Sequence, residues 1–326
     1  MMRRLLALAL LAALPAWAQT LPAAGRQTVL PDRPIRMIMT GAAGGGTDAP
    51  SRLVAGLMQE VLGRVVVVEP MPSGGGVVAV TTVARAPRDG MTILSATSAI
   101  MTLPHIEPET PYRARRDLIG LSQLNAGGNI LMVNPALVPV NTLAEFVDWA
   151  KRQPAEIPMG NYGHGSSSHL FGALFALQAG LNVTHVPIRN GLLTNLLGGH
   201  VCCVMIDTSS ASSQLHTGNL RILATSGPGR LAALPNVPSF AELGYRNFNP
   251  LIWQGFFAPA GTPPELVELL GRAIHDGLKK PEAQQRIRDW GFEPVGSLPS
   301  QFNARLAEED RIWGEVAAAT GIRAAR

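Results

Sequence analysis

The sequence predicts an α/β protein of two lobes, each a mostly parallel sheet flanked by helices, with a ligand cleft between them. Three observations predict it. Short β-branched runs alternate with helix-period segments along most of the chain, the pattern of parallel sheets covered by helices. The 326 residues suffice for about two domains of ordinary size. Several small, polar, glycine-rich segments follow strands, which is where open α/β sheets bind ligands.

The elements follow in order. Met1-Met2-Arg3-Arg4, the apolar run Leu5 to Leu14 and the small-x-small site Ala16-Trp17-Ala18 read as a secretory signal peptide over residues 1–18. The apolar run is too short to span a bilayer, which takes about 20 residues. The expected mature protein therefore begins at Gln19 and is periplasmic. Ile35–Met39 reads as a strand, Pro50–Leu62 as a helix with proline in its first turn, Val65–Glu69 as a strand, Val77–Ala84 as a helix and Thr92–Ser95 as a strand. Leu118–Leu124 and Ile130–Val133 bracket the first crossing between lobes. Leu143–Arg152, His169–Gln178, Leu192–Leu197 and Ser210–His216 read as helices, separated by strands at Ile157–Gly160, Val183–Ile188, Val201–Ile206 and Leu220–Thr225. Ile252–Phe257 crosses back as a strand, followed by helices over Glu265–Leu278 and Ser300–Ala319. Phe302, Leu306, Trp313 and Val316 put one apolar stripe on the last helix. These readings place lobe one at residues 31–130 plus 251–326 and lobe two at 131–250.

Composition narrows the function classes. Hydrophobic residues make up 46% and charged residues 15%, enough for real cores and too apolar for a disordered chain. Net charge is +4, and Arg3 and Arg4 supply two of the positives, which leaves too little basic charge for a nucleic-acid binder. The two cysteines, Cys202 and Cys203, are adjacent. In a strand their side chains would point to opposite faces, so two separate buried thiols are expected. His200-Val201-Cys202 is half a metal site with no second cluster to complete it, and no metal or other cofactor is expected.

Five loops carry the chemistry: Gly44-Gly45-Gly46-Thr47-Asp48, Ser95-Ala96-Thr97-Ser98, Asn161 to Ser168, Ile188-Arg189-Asn190-Gly191 and Asp207-Thr208-Ser209-Ser210. Glycine lets backbone approach a ligand, helix N-termini offer free N–H groups, and hydroxyls add neutral donors. That combination suits an anion such as a carboxylate. The alternative is a set of ordinary tight turns with helix caps. Two enzymatic rivals arise from the same residues. Gly44-x-Gly46-x-x-Ala49, with Glu69 about twenty residues on, matches a dinucleotide-binding fingerprint and a dehydrogenase. Gly165-Ser166-Ser167-Ser168-His169 suggests a serine hydrolase but lacks the Gly-x-Ser-x-Gly elbow.

Read together, these segments resemble the substrate-binding proteins of tripartite tricarboxylate transporters, the Bug family. The landmarks are Arg33-Pro34-Ile35-Arg36, the Gly-Gly-Gly-Thr-Asp loop, Val66-Val67-Val68-Glu69 followed by Pro72-Ser73-Gly74-Gly75-Gly76, and Ala86 to Thr92. Gly165 to Leu170, His185-Val186-Pro187, Gly218-Asn219-Leu220-Arg221, Leu234 to Ser239 and Phe257 to Pro263 continue the series. The resemblance implies a two-lobed periplasmic binding protein fold that closes on a ligand and hands it to a membrane permease. It implies a monomeric binding protein and not an enzyme. It also implies ligand contacts from Gly44, Gly45, Thr47 and Asp48, from Thr97 and Ser98, from Ser166 and Ser167, and from Asp207. Two segments depart from the family pattern: Thr40-Gly41-Ala42-Ala43, where an aromatic–Ala–Pro lead-in is usual, and Cys202-Cys203.

Overall fold

A computed structural model describes residues 30–188, 190–215 and 217–323. The expected signal peptide, Arg189 of the fourth loop and His216 lie outside the described residues. The apolar runs sort into two five-stranded sheets. The first third of the chain supplies β1 (Ile35–Met39), α1 (Asp48–Leu62), β2 (Val66–Pro70), α2 (Val77–Ala84), β3 (Thr92–Thr97), α3 (Ala99–Ile106), α4 (Ala114–Asp117) and β4 (Leu118–Gln123). A short strand β5 (Asn125–Ala126) leads across to β6 (Asn129–Val133), α5 (Leu143–Lys151), β7 (Ile157–Asn161), α6 (Ser167–Ala179), β8 (Val183–Pro187), α7 (Leu192–Leu197), β9 (Cys203–Asp207) and β10 (Arg221–Thr225). The chain then returns through β11 (Gln254–Pro259), α8 (Pro264–Gly277), α9 (Pro281–Asp289), β12 (Glu293–Pro294) and α10 (Pro299–Thr320).

The sheet orders are β2-β1-β3-β11-β4 and β10-β6-β9-β7-β8. In each, four strands share one direction and one is reversed: β11 is antiparallel to β3 and β4, and β6 to β9 and β10. The reversed strand is the one entered directly after a crossing. A chain arriving from the other lobe starts its strand at the edge where the neighbouring strands end. That register sets Gln254 beside Thr97 and Asn129 beside Asp207, so both crossings deliver residues to the edge of the cleft. Because β6 begins at Asn129, residues 129 and 130 pair within the second sheet, just ahead of the expected lobe boundary.

The central strands are buried because helices cover them. Ile35, Met37, Ile38 and Met39 of β1 and Ile130 through Val133 of β6 are fully enclosed. At about 25 cal/mol per Å² of apolar surface removed from water, such runs supply the main force holding each lobe together. The apolar stripe expected on α10 is present and serves both lobes. Phe302 packs with ring centroids 5.2 Å from Trp253 and from Phe257 in the first lobe, while Trp313 lies 4.9 Å from Phe171 on α6 in the second. No helix among the described residues is long and apolar enough to cross a membrane.

Three features differ from the sequence reading. Helices α3 and α9 were not expected: α3 carries Pro104 in its last turns, and α9 buries only Ala283 and Ile287, too thin a stripe to detect. The helix expected over Ser210–His216 contracts to a 3₁₀ turn at Ser212–Gln214. The cysteines do not point to opposite faces. Cys202 precedes β9, so the pleat does not govern it. Both thiols face the carbonyl of Pro158, with their sulfurs 3.9 Å apart, unbonded and buried.

Candidate ligand-binding cleft

The first jaw is the loop from Gly41 to Thr47 between β1 and α1. Thr47 is the N-cap residue of α1, yet its side chain caps nothing, and its hydroxyl is buried without a hydrogen-bond partner among the described residues. Gly41 makes room for it, since a β-carbon there would run into Thr47 Oγ1. The loop is braced from the sheet. Gln254 Nε2 donates to Thr47 O at 3.1 Å, to Ser51 Oγ at 3.1 Å and to Ser95 Oγ at 2.8 Å, while Ser51 Oγ donates to Thr47 O at 2.6 Å. Ser98 begins α3 beside this loop. It too makes no side-chain cap, and its N–H donates to Trp253 O at 2.9 Å.

The second jaw is the N-terminus of α6, and its N-cap residue Ser166 makes the side-chain cap that Thr47 does not. The Ser166 hydroxyl accepts from the N–H of His169 at 3.2 Å and donates to Gly163 O at 2.7 Å. The N–H of Gly165 donates to His169 Nδ1 at 3.1 Å. Burial, reinforced by His185 and His164, lowers the His169 pKa to about 4, so the ring sits neutral and serves as an acceptor. Beside it, Tyr162 donates its phenol to Asp207 Oδ2 at 2.8 Å, and the N–H of Ser210 donates to Asp207 Oδ1 at 2.8 Å; the Ser209 hydroxyl also donates to this carboxylate. Burial, with the adjacent carboxylate, holds the Tyr162 phenol well above the usual tyrosine range.

Between the jaws lies a cavity of about 550 Å³. Gly45, Thr47, Thr97, Ser98, Ser166, Ser167 and Asp207 all line it, so four of the five expected loops meet in one space. Gly44 and Asp48 do not line it. The Asp48 carboxylate turns back on its own loop, accepting the N–H of Gly44 at 2.8 Å and pairing with Arg52 at 2.9 Å. Sequence reasoning missed the rear wall, which is Asn125, Ile252, Trp253, Gln254 and Phe292 from the crossing segments. Tyr162 stood inside a loop already marked, and its aromatic ring among small residues was the available signal. The one carboxylate of the described lining is Asp207, and no lysine or arginine is among those residues. The N-termini of α1, α3 and α6 all open onto the cavity, so the positive ends of three helix dipoles face it.

The geometry weighs against both enzymatic rivals. In the glycine loop, the Gly44 amide that would meet a pyrophosphate already holds Asp48. Glu69, which would meet a ribose, is held by both Nε and Nη2 of Arg36 at 2.8 and 2.7 Å. The imidazole Nδ1 of His169 is occupied by Gly165 N–H, so it is no base for a neighbouring serine. Among the described residues no group of three or more His, Cys, Asp or Glu side chains is disposed to hold a metal ion.

Known proteins agree with this architecture. The family described as "Tripartite tricarboxylate transporter family receptor" matches residues 51–322. Protein BugT of Bordetella pertussis is 32% identical over 297 residues, covering 90% of this chain and 91% of BugT. Among solved structures, the periplasmic binding protein BugD superposes with a TM-score of 0.71 at 29% identity, covering 90% of this chain and 99% of BugD. The R. palustris protein Rpa4515 with adipate gives 0.74 at 27% identity, covering 90% and 99% of the two chains. MatC of Rhodopseudomonas palustris with bound malate gives 0.70 at 26% identity, covering 88% and 99%. The chain belongs to the tripartite tricarboxylate transporter receptor family.

Proposed function

We propose that this chain is a periplasmic receptor that captures a small carboxylate-bearing metabolite between its lobes and passes it, as a monomer, to a membrane permease. The observation that carries the reading is the convergence of three helix N-termini on one cavity, two of them with no side-chain cap. Uncapped N–H groups attract an anion through hydrogen bonding and through the helix dipole. The ligands named for two structural neighbours, adipate and malate, are carboxylates, which supports the same class here. Thr47 and Ser166 stand on opposite jaws, and the lobes close on the ligand by hinging at the crossings near Asn125 and Ile252. The role is binding rather than catalysis, since the residues of the two enzymatic rivals are engaged elsewhere.

A thermal-shift screen of carboxylic acids against the mature protein tests this. Ligand at a hundredfold excess over its dissociation constant adds about 2.7 kcal/mol to the stability of the bound form. A few acids should give clear upward shifts, and their methyl esters none, because the ester lacks the anion. Equal shifts from acid and ester would overturn the carboxylate reading.

A further inference from the structure

Phe292 lines two cavities at once. On one side is the cleft between the jaws. On the other is a second cavity of about 330 Å³, with an apolar floor from Leu215, Leu231 and Ala233, and with Thr208, Ser212 and Arg288 at its walls. The ring is therefore the partition between them.

Its position is fixed from both sides. Just past the end of helix α9, Gly291 has a φ of 78° that lets the chain turn sharply, with Gly291 N–H donating to Arg288 O at 2.8 Å and Phe292 N–H to Ile287 O at 3.2 Å. Strand β12 then pairs with β5 on the crossing, Glu293 opposite Ala126. A β-carbon on Gly291 would sit 2.9 Å from Ser209 Cα, and one on Gly127 would sit 2.8 Å from Phe292 Cδ1. Bare backbone at Gly127 leaves the ring its slot, and bare backbone at Gly291 lets the turn that carries it close against Ser209.

We infer that Phe292 is a specificity-determining residue that sets how long a ligand the cleft accepts, and that the cavity behind it is a latent subsite for the far end of a longer acid. The inference rests on the carboxylate-capture reading. An acid whose carboxylate is held at the α1 and α3 ends meets the Phe292 ring as its chain grows. With the ring removed, further methylenes enter the leucine-lined space, and a second carboxylate reaches the Arg288 guanidinium.

The test is calorimetric titration of the mature protein with linear α,ω-dicarboxylates from succinate to sebacate and with monocarboxylates of the same lengths. The proteins are the wild type, Phe292→Leu, Phe292→Ala and Phe292→Ala/Arg288→Gln. Burial of each added methylene is worth about a four-fold gain in affinity. Wild type should favour the short members. Phe292→Ala should move the optimum at least two methylenes longer, a relative gain of roughly fifteen-fold for the long acids. Phe292→Leu should fall between, and serves as the reading if the alanine variant does not fold. Arg288→Gln should remove part of the gain for long dicarboxylates and none for long monocarboxylates. An unmoved length profile, or a uniform loss across all lengths, overturns this inference while leaving carboxylate capture intact. Failure of every acid to bind the wild type overturns both.

Discussion

The two helix ends that face each other across the cleft are built on opposite plans. At α6 the helix start carries a side-chain cap and a local network: Ser166 bonds to Gly163 and His169, Gly165 to the His169 ring, and Tyr162 reaches across to Asp207, which also accepts from Ser210. At α1 the loop is braced from beneath by Gln254 through the Thr47 carbonyl, while the Thr47 hydroxyl and the first turn of the helix are left without side-chain caps. A capped helix start spends its side-chain oxygen locally, and an uncapped one leaves its hydroxyl for a ligand. Buried donors without partners are costly, at about 1–3 kcal/mol each, and a bound anion that engages them relieves that cost. Under the proposed carboxylate reading, the first jaw offers an unspent hydroxyl to the anion, while the second holds its cap within the loop.

The largest effect should come from removing the brace. Gln254→Leu deletes the amide whose two hydrogens are shared among three acceptors in a buried network, and should cost about 2–3 kcal/mol of stability, read by urea denaturation, with ligand affinity lost as the Thr47 loop sags. If stability is unchanged, the loop is not held from the sheet.

Next, the two jaw residues should separate by readout. Ser166→Ala removes a true N-cap and should lower stability by about 1 kcal/mol, in the range typical of such caps, as well as weakening binding. Thr47→Ala removes a hydroxyl that caps nothing. It should leave stability within about 0.5 kcal/mol and weaken a confirmed carboxylate by about 1–2 kcal/mol, the scale of a hydrogen bond to a charged group. Equal stability losses from the two substitutions would erase the contrast.

Between the jaws, acid should act on the second. His169 is resisted in its protonation by burial and by its histidine neighbours, so its pKa stands at about 4 in the fold against 6.5 unfolded. Above pH 6.5 both states are neutral and nothing is lost. As pH falls from 6.5 toward 4 the unfolded chain takes up the proton first, and stability declines through that window. His185 shifts in the same direction and adds to the decline. His169→Gln, measured by denaturation across pH 4–7, should flatten the profile; an unchanged slope would show that other groups set it.

The smallest effect is expected at Glu69. Its pair with Arg36 lies at the surface, so Glu69→Gln should cost less than about 1 kcal/mol and leave carboxylate binding unaltered. A large loss of binding there would reopen the dinucleotide reading of the glycine loop.

The order of strands and helices was legible because it is written in local periodicity. Ile35–Met39, Val77–Ala84 and Leu192–Leu197 form the elements expected of them, with the expected bounds. The loops that follow the strands were legible for the same reason: glycine, serine and threonine clusters mark a turn and a helix start wherever they occur. Helix α3 was not, because Pro104 argues against a helix locally while burial of Ile100, Met101 and Ile106 enforces one. Side-chain direction was not legible either. Asp48 sits one residue from the cleft but folds back on Gly44, and the two cysteines turn the same way because Cys202 lies just outside the strand.

What the sequence determined by itself was the two-lobed α/β plan and four of the loops that line the cavity, since periodicity and turn chemistry are properties of neighbouring residues. What only the tertiary structure decided was the closure of the cleft. Its rear wall joins Asn125, Ile252 to Gln254 and Phe292, from three segments far apart in the chain. They meet because β6 and β11 run backwards in their sheets and β12 pairs with β5. No local pattern specifies such a meeting; it follows from packing two cores against one shared helix, α10.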